Sequence, residues 1–240
     1  MNLKKHIPNL LTICNLLCGC FAVKSAFTAN YEFALIFVLA AAVFDFLDGF
    51  AARLLKAYSP IGKELDSLAD VISFGLTPAV IACKLLSDNF LFLDGFLIPS
   101  GLLIAAFSAL RLAKFNVDDR QTDSFIGLAV PANAIFWAGL ANSHSQQLAD
   151  FPIITILLIA ISCFLLVCSL PMFSLKFKSL KWKDNAVRYI FILLSLVILV
   201  ISLIMLGNIL AFLYLVIVLY ILMSVVLMFT CKNKADLSSE

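Results

Sequence analysis

The 240-residue chain reads as an all-α, polytopic integral membrane bundle of about eight transmembrane helices with both termini cytoplasmic. Three observations carry this reading. Apolar residues make up 63% of the sequence and charged residues 13%, with a mean hydropathy of +1.06, which excludes an ordinary soluble domain. The apolar residues fall into runs close to the ~20 residues that a helix needs to cross the hydrocarbon. Lys and Arg, finally, collect in alternate loops.

The runs place spans at 8–28, 32–54, 62–86, 92–115, 125–143, 152–173, 187–206 and 208–230. The first follows Lys4 and Lys5, the second closes on Arg53 and Lys56, and the third follows Ser59-Pro60 and carries Lys63 at its start. The fourth ends among Arg111, Lys114 and Arg120, and the sixth precedes a basic loop containing Lys176, Lys178, Lys181, Lys183 and Arg188. Only Gly207-Asn208 separates the last two spans, and this pair reads as a tight hairpin. The opposite loops hold Asp88, Asp94 and Asp150 and no basic residue, so the basic loops and both ends are assigned to the cytoplasm. Lys24 and Lys84 lie near outer helix ends, where their ammonium groups snorkel to water. His6 and His144 fall outside the spans, and stripes of Phe and Leu read as lipid-facing or packing surface. Seven cysteines give neither a disulfide framework nor zinc spacing. With no linker or repeat, residues 1–240 read as one domain, motif-bearing over about 8–132, with further helices over about 152–230.

Within this apolar background stand four carboxylates: Asp45, Asp48, Asp66 and Asp70. An unpaired acid at a helix centre costs about 2.5–3.5 kcal/mol even on lenient insertion scales, so four of them imply a function. Asp45 and Asp48 lie close together on one helix face, while Gly62, Asp66 and Asp70 form an i, i+4, i+8 stripe on the next. Four carboxylates converging in low dielectric need a neutralising cation, and an all-oxygen set suits a hard divalent ion such as Mg²⁺ or Mn²⁺. Gly49, Ala52 and Gly62 leave room for a ligand to approach the backbone. The alternative is a set of structural ion pairs and helix-packing small residues.

Written out, residues 45–70 give D-x2-D-G-x2-A-R-x8-G-x3-D-x3-D. This resembles the signature of the CDP-alcohol phosphatidyltransferase family, matched at every fixed position. The resemblance implies transfer of a phosphatidyl group from CDP-diacylglycerol to an alcohol with release of CMP. By motif position it implies metal binding at Asp45, Asp48, Asp66 and Asp70, with Asp70 also the base toward the acceptor, and binding of the CDP part at Gly49 and Arg53. Arg53 is chemically apt, since guanidinium pairs with phosphate through two hydrogen bonds. Ala52 and Gly62 belong to the same CDP-lipid set. Ser59 either donates to a phosphate or serves the turn before Pro60.

Pro8-Asn9-Leu10-Leu11-Thr12-Ile13-Cys14-Asn15 resembles the family's P-N-x-x-T element. Asn9, Thr12 and Asn15 then either face the nucleotide or bond a neighbouring helix. Ser108–Asn116 and Phe125–Ala132 resemble the R-x2-[RK]-F-N and F-x-G-x3-P-A segments of those bacterial and archaeal members that use L-serine. That likeness implies L-serine as acceptor, with Arg111 pairing its carboxylate and Asn116 beside it. Glycerol 3-phosphate or inositol phosphate as acceptor is the nearest alternative; a divalent-cation transporter is a more distant one. The family likeness and the prevalence of symmetric pairs imply a homodimer in membrane lipid, in a bacterial or archaeal cytoplasmic membrane, with the site facing the cytoplasm. No nucleic-acid partner is expected.

Overall fold

The computed structural model describes residues 6–87, 97–117, 125–175, 181–206 and 209–237. Helix α1 (His6–Phe27) carries Pro8 in its first turn, where a missing N–H breaks no helical bond. It turns back through Ala29 into α2 (Tyr31–Leu54), whose first turn is capped by Asn30 Oδ1 accepting from Phe33 N at 3.3 Å. The two pack as a close antiparallel hairpin because Ala22, Ala26, Ala34 and Ala41 carry almost no side-chain bulk into the interface. Ser59 Oγ accepts from Gly62 N at 3.0 Å to start α3 (Pro60–Asp70), with Pro60 in the first turn.

Directly after Asp70 the helix widens into a π turn over Val71–Leu76, then continues as α4 (Thr77–Ser87). Such a turn accommodates about one extra residue, so side chains on either side of it are offset by roughly 100° from a continuous α-helix. Asp66 and Asp70 are therefore aimed independently of Ile81, Ala82 and Leu85, which enter the core. Pro60–Ser87 as a whole is the most buried of the membrane-length segments.

A 3₁₀ turn (Ile98–Gly101) leads into α5 (Leu102–Val117); α6 (Val130–Asp150), α7 (Pro152–Val167), α8 (Trp182–Leu206) and α9 (Phe212–Leu237) follow. Helix α6 contacts α2, α4, α7 and α9. Its Trp137 is fully buried, with Nε1 donating to Ser162 Oγ of α7 at 3.0 Å. Phe46, Leu54, Phe164, Leu193 and Ile204 lie on the outer surface, as lipid-facing positions should.

Helical membrane architecture is thus found, with two departures from the expected spans. Among the described residues six segments are both long and apolar enough to cross a bilayer: His6–Phe27, Tyr31–Leu54, Pro60–Ser87, Ile98–Val117, Asn185–Ile204 and Ile209–Thr230. The expected spans at 125–143 and 152–173 are not among them. The fifth starts later and ends later, because Phe125 and Ile126 form a two-residue antiparallel bridge with Pro171 and Met172, and the helix begins at Val130. Its later turns carry Asn142, Ser143, His144, Gln146 and Gln147, which lower its hydropathy. The sixth is a 16-residue helix, about 24 Å at 1.5 Å per residue. It stops at Val167 because Cys168 is extended.

His144 consequently lies inside α6, at a kink, with Nε2 2.8 Å from Tyr214 Oη on α9. Gly127 explains the docking of this region. Its φ of +72° is left-handed, and a Cβ there would meet the carbonyl oxygens of Leu165 and Leu166 at 3.0 Å. Gly127 N donates to Leu170 O at 2.9 Å and Leu128 N to Leu165 O at 2.8 Å, closing the end of α7. The start of the fourth span, the Gly207-Asn208 break, and Lys4, Lys5, Asp88, Asp94, Arg120, Lys176 and Lys178 lie outside the described residues.

Candidate functional site

Four helix ends meet at one end of the bundle: the beginnings of α1 and α3 and the ends of α2 and α5. Helix α2 brings Asp45 and Asp48, one turn apart; α3 brings Asp66. Carboxylate oxygens of these three lie within 4.8 Å of one another. Asp70, expected as a fourth member of one cluster, stands one turn further along α3 and outside that grouping.

Helix α1 fixes both acidic groups. Thr12 Oγ1 lies 2.6 Å from Asp48 Oδ2 and 3.1 Å from Pro8 O, and its single hydrogen serves one of them at a time. The 2.6 Å contact has the length of a hydroxyl donating to a charged carboxylate. Asn15 Nδ2 donates to Asp70 Oδ1 at 3.1 Å, and Asn15 is itself held by Ser73 Oγ donating to its backbone O at 3.1 Å. Of the two readings for the polar face of α1, Thr12 and Asn15 adopt the bond to a neighbouring helix, and those bonds go to the aspartates themselves.

Asp66 Oδ1 is buried with no hydrogen-bond partner. A buried carboxylate oxygen without a donor, beside two further carboxylates, fits a cation ligand. Asp45, Asp48 and Asp66 could hold a hard divalent ion, which takes oxygen donors by preference.

Beside the carboxylates opens a cavity of about 280 Å³ lined by Pro8, Asn9 and Thr12 of α1, Asp48, Gly49 and Ala52 of α2, Ala57, Tyr58 and Ser59 of the turn, and Gly62, Lys63 and Asp66 of α3. The small residues make this space. A Cβ on Gly62 would sit 3.0 Å from Ser59 Oγ and 3.1 Å from Asn9 Oδ1, whereas one on Gly49 would meet nothing within 4 Å. Asn9, Thr12, Ser59, Gly49, Ala52 and Gly62, all sequence candidates, are therefore brought together. Arg53 is not. Its Nε donates to Gly49 O at 3.0 Å, and it lies on the exposed side with Phe46, Phe50 and Leu54.

On α5, which packs against the π turn after Asp70, Arg111 is 7% exposed, stands over the Phe115 ring at 5.6 Å, and has a buried Nε without a partner. It is within electrostatic reach of Asp70 and of Tyr220 on α9. Asn116 does not face the carboxylates directly. Its Nδ2 donates to Ser67 Oγ at 2.8 Å, and its backbone O accepts from Lys63 Nζ at 3.0 Å, so it ties α5 to α3.

Sequence reading missed three contributors. Lys63 was assigned to loop charge alone, although it directly follows the motif residue Gly62. Ser73 lies three residues past Asp70, on the π turn that no sequence pattern signalled. Tyr220 comes from the C-terminal region, whose only sequence signal is hydropathy; its Oη donates to Phe173 O at 3.0 Å and its ring packs on Phe173.

The family model described as CDP-alcohol phosphatidyltransferase matches residues 5–201. A CDP-diacylglycerol--serine O-phosphatidyltransferase of Bacillus subtilis is 36% identical over 126 residues, 52% of this chain and 70% of that protein. The protein of the same name from Helicobacter pylori is 38% identical over 130 residues, 53% of this chain and 54% of its own length. An archaetidylserine synthase of Methanothermobacter thermautotrophicus is 33% identical over 160 residues, 65% of this chain and 67% of that protein. The match thus spans about half the length of the Helicobacter relative and more of the other two.

Proposed function

The chain belongs to the CDP-alcohol phosphatidyltransferase family, and on that premise we propose that it transfers the phosphatidyl group of CDP-diacylglycerol to L-serine, forming phosphatidylserine and CMP. One observation carries this reading: three carboxylates lie within 4.8 Å of one another, and two of them, Asp48 and Asp66, line a cavity between the same helices. The names of the relatives support serine as acceptor.

In this mechanism Asp45, Asp48 and Asp66 hold a divalent cation, Mg²⁺ or Mn²⁺. When bound, the ion supplies positive charge against the diphosphate of the donor. Asn9, Ser59 and the gap left by Gly49, Ala52 and Gly62 receive the cytidine and phosphate part. Thr12 orients Asp48 by its donated hydrogen bond. Asn15 occupies Oδ1 of Asp70, leaving Oδ2 to take the proton from the serine hydroxyl as that oxygen attacks phosphorus and CMP leaves. Arg111, with no partner for Nε, pairs with the serine carboxylate and so sets the hydroxyl toward Asp70. Arg53, on the exposed side, meets donor phosphate only if it swings from Gly49 O. The single domain works as a homodimer in a bacterial or archaeal cytoplasmic membrane, its cavity open to the cytoplasm. The alternation of Lys and Arg along the chain supports that orientation.

The test is direct. Purified protein is given CDP-diacylglycerol, Mg²⁺ or Mn²⁺, and serine, glycerol 3-phosphate, inositol phosphate or ethanolamine in turn, with CMP release followed. Release with serine and not with ethanolamine is expected, since ethanolamine lacks the carboxylate. Equal use of ethanolamine would refute serine and the role of Arg111; no release with any alcohol would refute the transferase.

A further inference from the structure

The Phe125–Pro131 segment, placed by Gly127 against the end of α7, has a consequence outside the aspartate site. It sets Leu128 and the first turn of α6 beside a second cavity of about 180 Å³, formed with α7 and α9. Among the described residues none lines both cavities. This one is walled almost wholly by apolar side chains, among them Leu128, Val218, Ile161 and Leu222. Ile161 and Leu222 are about half exposed on the outer surface, so the cavity opens sideways, toward lipid.

Asn133 stands in its wall. The residue is fully buried, and neither Nδ2 nor Oδ1 has a hydrogen-bond partner. An amide left unpaired in hydrocarbon surroundings loses several kcal/mol of solvation, so an unused donor and acceptor on the wall of a cavity mark a ligand contact. The other polar lining residue, Ser162, already accepts from Trp137 Nε1.

The lining specifies the ligand. Among the described residues no ionisable group lines the cavity, which favours an uncharged bound group. A free carboxamide needs an acceptor for Nδ2 and a donor for Oδ1 on nearby atoms. At about 30 Å³ per water-sized volume, the space takes a glycerol ester and its first methylenes, with the remaining chain leaving through the lateral mouth. We infer that this cavity is a second lipid site, in which Asn133 binds the hydroxyl and ester carbonyl of an acylglycerol.

Trp137, one turn after Asn133, is a built-in reporter, and Trp182 is the only other tryptophan. Trp182→Phe protein in nanodiscs of fixed total lipid would be titrated with a monoacylglycerol whose chain carries two bromines, and Trp137 emission followed. Saturable quenching is expected, with about tenfold weaker binding in Asn133→Leu, which keeps the volume and removes both hydrogen bonds. Ile161→Phe, at the exposed mouth, should weaken binding without touching the core, and serves if Asn133→Leu does not fold. CDP-diacylglycerol should leave the quenching unchanged. Non-saturable quenching would overturn the proposal, as would equal quenching in both variants, the result of a cavity filled only by water. Relief by CDP-diacylglycerol would assign the cavity to the donor's own acyl group and overturn a second site. The readout needs no turnover, so it stands or falls apart from the transferase reading.

Discussion

Thr12→Val isolates one hydrogen bond of the candidate metal centre. Valine matches threonine in shape, so the substitution removes the hydroxyl and little else. That hydroxyl lies 2.6 Å from Asp48 Oδ2, and Thr12 is only 3% exposed, so water has no easy route to replace it. A hydrogen bond to a charged group is worth about 1.5–3 kcal/mol, roughly a ten- to hundredfold change in an equilibrium constant. Loss of a bond that orients a metal ligand lowers metal affinity over the same range, about 10–100-fold. The expected result is a 10–100-fold rise in the Mn²⁺ concentration for half-maximal CMP release, with the rate at saturating Mn²⁺ reduced far less. Direct Mn²⁺ titration followed by electron paramagnetic resonance, without substrate, should give the same shift. Thr12→Ser, which restores the donor, should behave close to the parent. An unchanged Mn²⁺ requirement in Thr12→Val would show that Asp48 needs no help from α1, and the assignment of Thr12 would fail.

Asp48→Asn and Asp66→Asn should each abolish CMP release while the protein still accumulates in membranes, since each removes a charged oxygen at nearly constant size; near-parental turnover in either would refute the metal centre. Asp70→Asn should retain binding of CDP-diacylglycerol and lose turnover; parallel loss of both would make Asp70 a donor-side ligand instead of the base. Arg111→Ala should raise the half-saturating serine concentration by about 10–100-fold and leave that for CDP-diacylglycerol nearly unchanged, from a charge-assisted bond worth about 1.5–3 kcal/mol. Unaltered serine kinetics would remove Arg111 from the acceptor site. Gly127→Ala places a Cβ at positive φ against two carbonyl oxygens, a strain of about 1–3 kcal/mol. It should lower the thermal midpoint in detergent by at least ~2 °C, and a rise would contradict the close approach to α7.

Much of the site was legible because membrane burial makes carboxylates conspicuous. Asp45, Asp48 and Asp66 stood out against apolar neighbours, and helical spacing sufficed to bring the first two to one face. Spacing and motif position put Asp70 in the same group, since i+4 continues a stripe; nothing in the sequence marks the π turn that follows it, and a bond from Asn15 to a neighbouring helix was one of two readings whose acceptor the sequence did not name. Arg53 was read from its motif position and its chemistry, and neither chooses between facing a cavity and bonding the carbonyl four residues back. The hydropathy of 125–143 and 152–173 suggested two more spans of ordinary length. Gly127 redirected them: a left-handed residue and a two-residue bridge delay α6 to Val130 and accompany an extended end to α7, and no local hydrophobic average registers a bridge between residues 125 and 172. Asn133 and Tyr220 were hidden for a related reason, because each matters through a helix distant in sequence.

The tie between α3 and α5 carries a thermodynamic consequence. Lys63 Nζ on Asn116 O, and Asn116 Nδ2 on Ser67 Oγ, make the end of the arginine-bearing helix and the start of the aspartate-bearing helix share one short network. Free-energy changes from substitutions on the two helices should therefore not add. A double-mutant cycle between Asn116→Ala and Asp66→Glu would measure a coupling free energy, expected at about 0.5–3 kcal/mol for residues joined through shared partners. Under the proposed roles of Arg111 and the carboxylates, a change at the end of α5 should reach ion affinity along with acceptor preference, and the cycle measures that linkage.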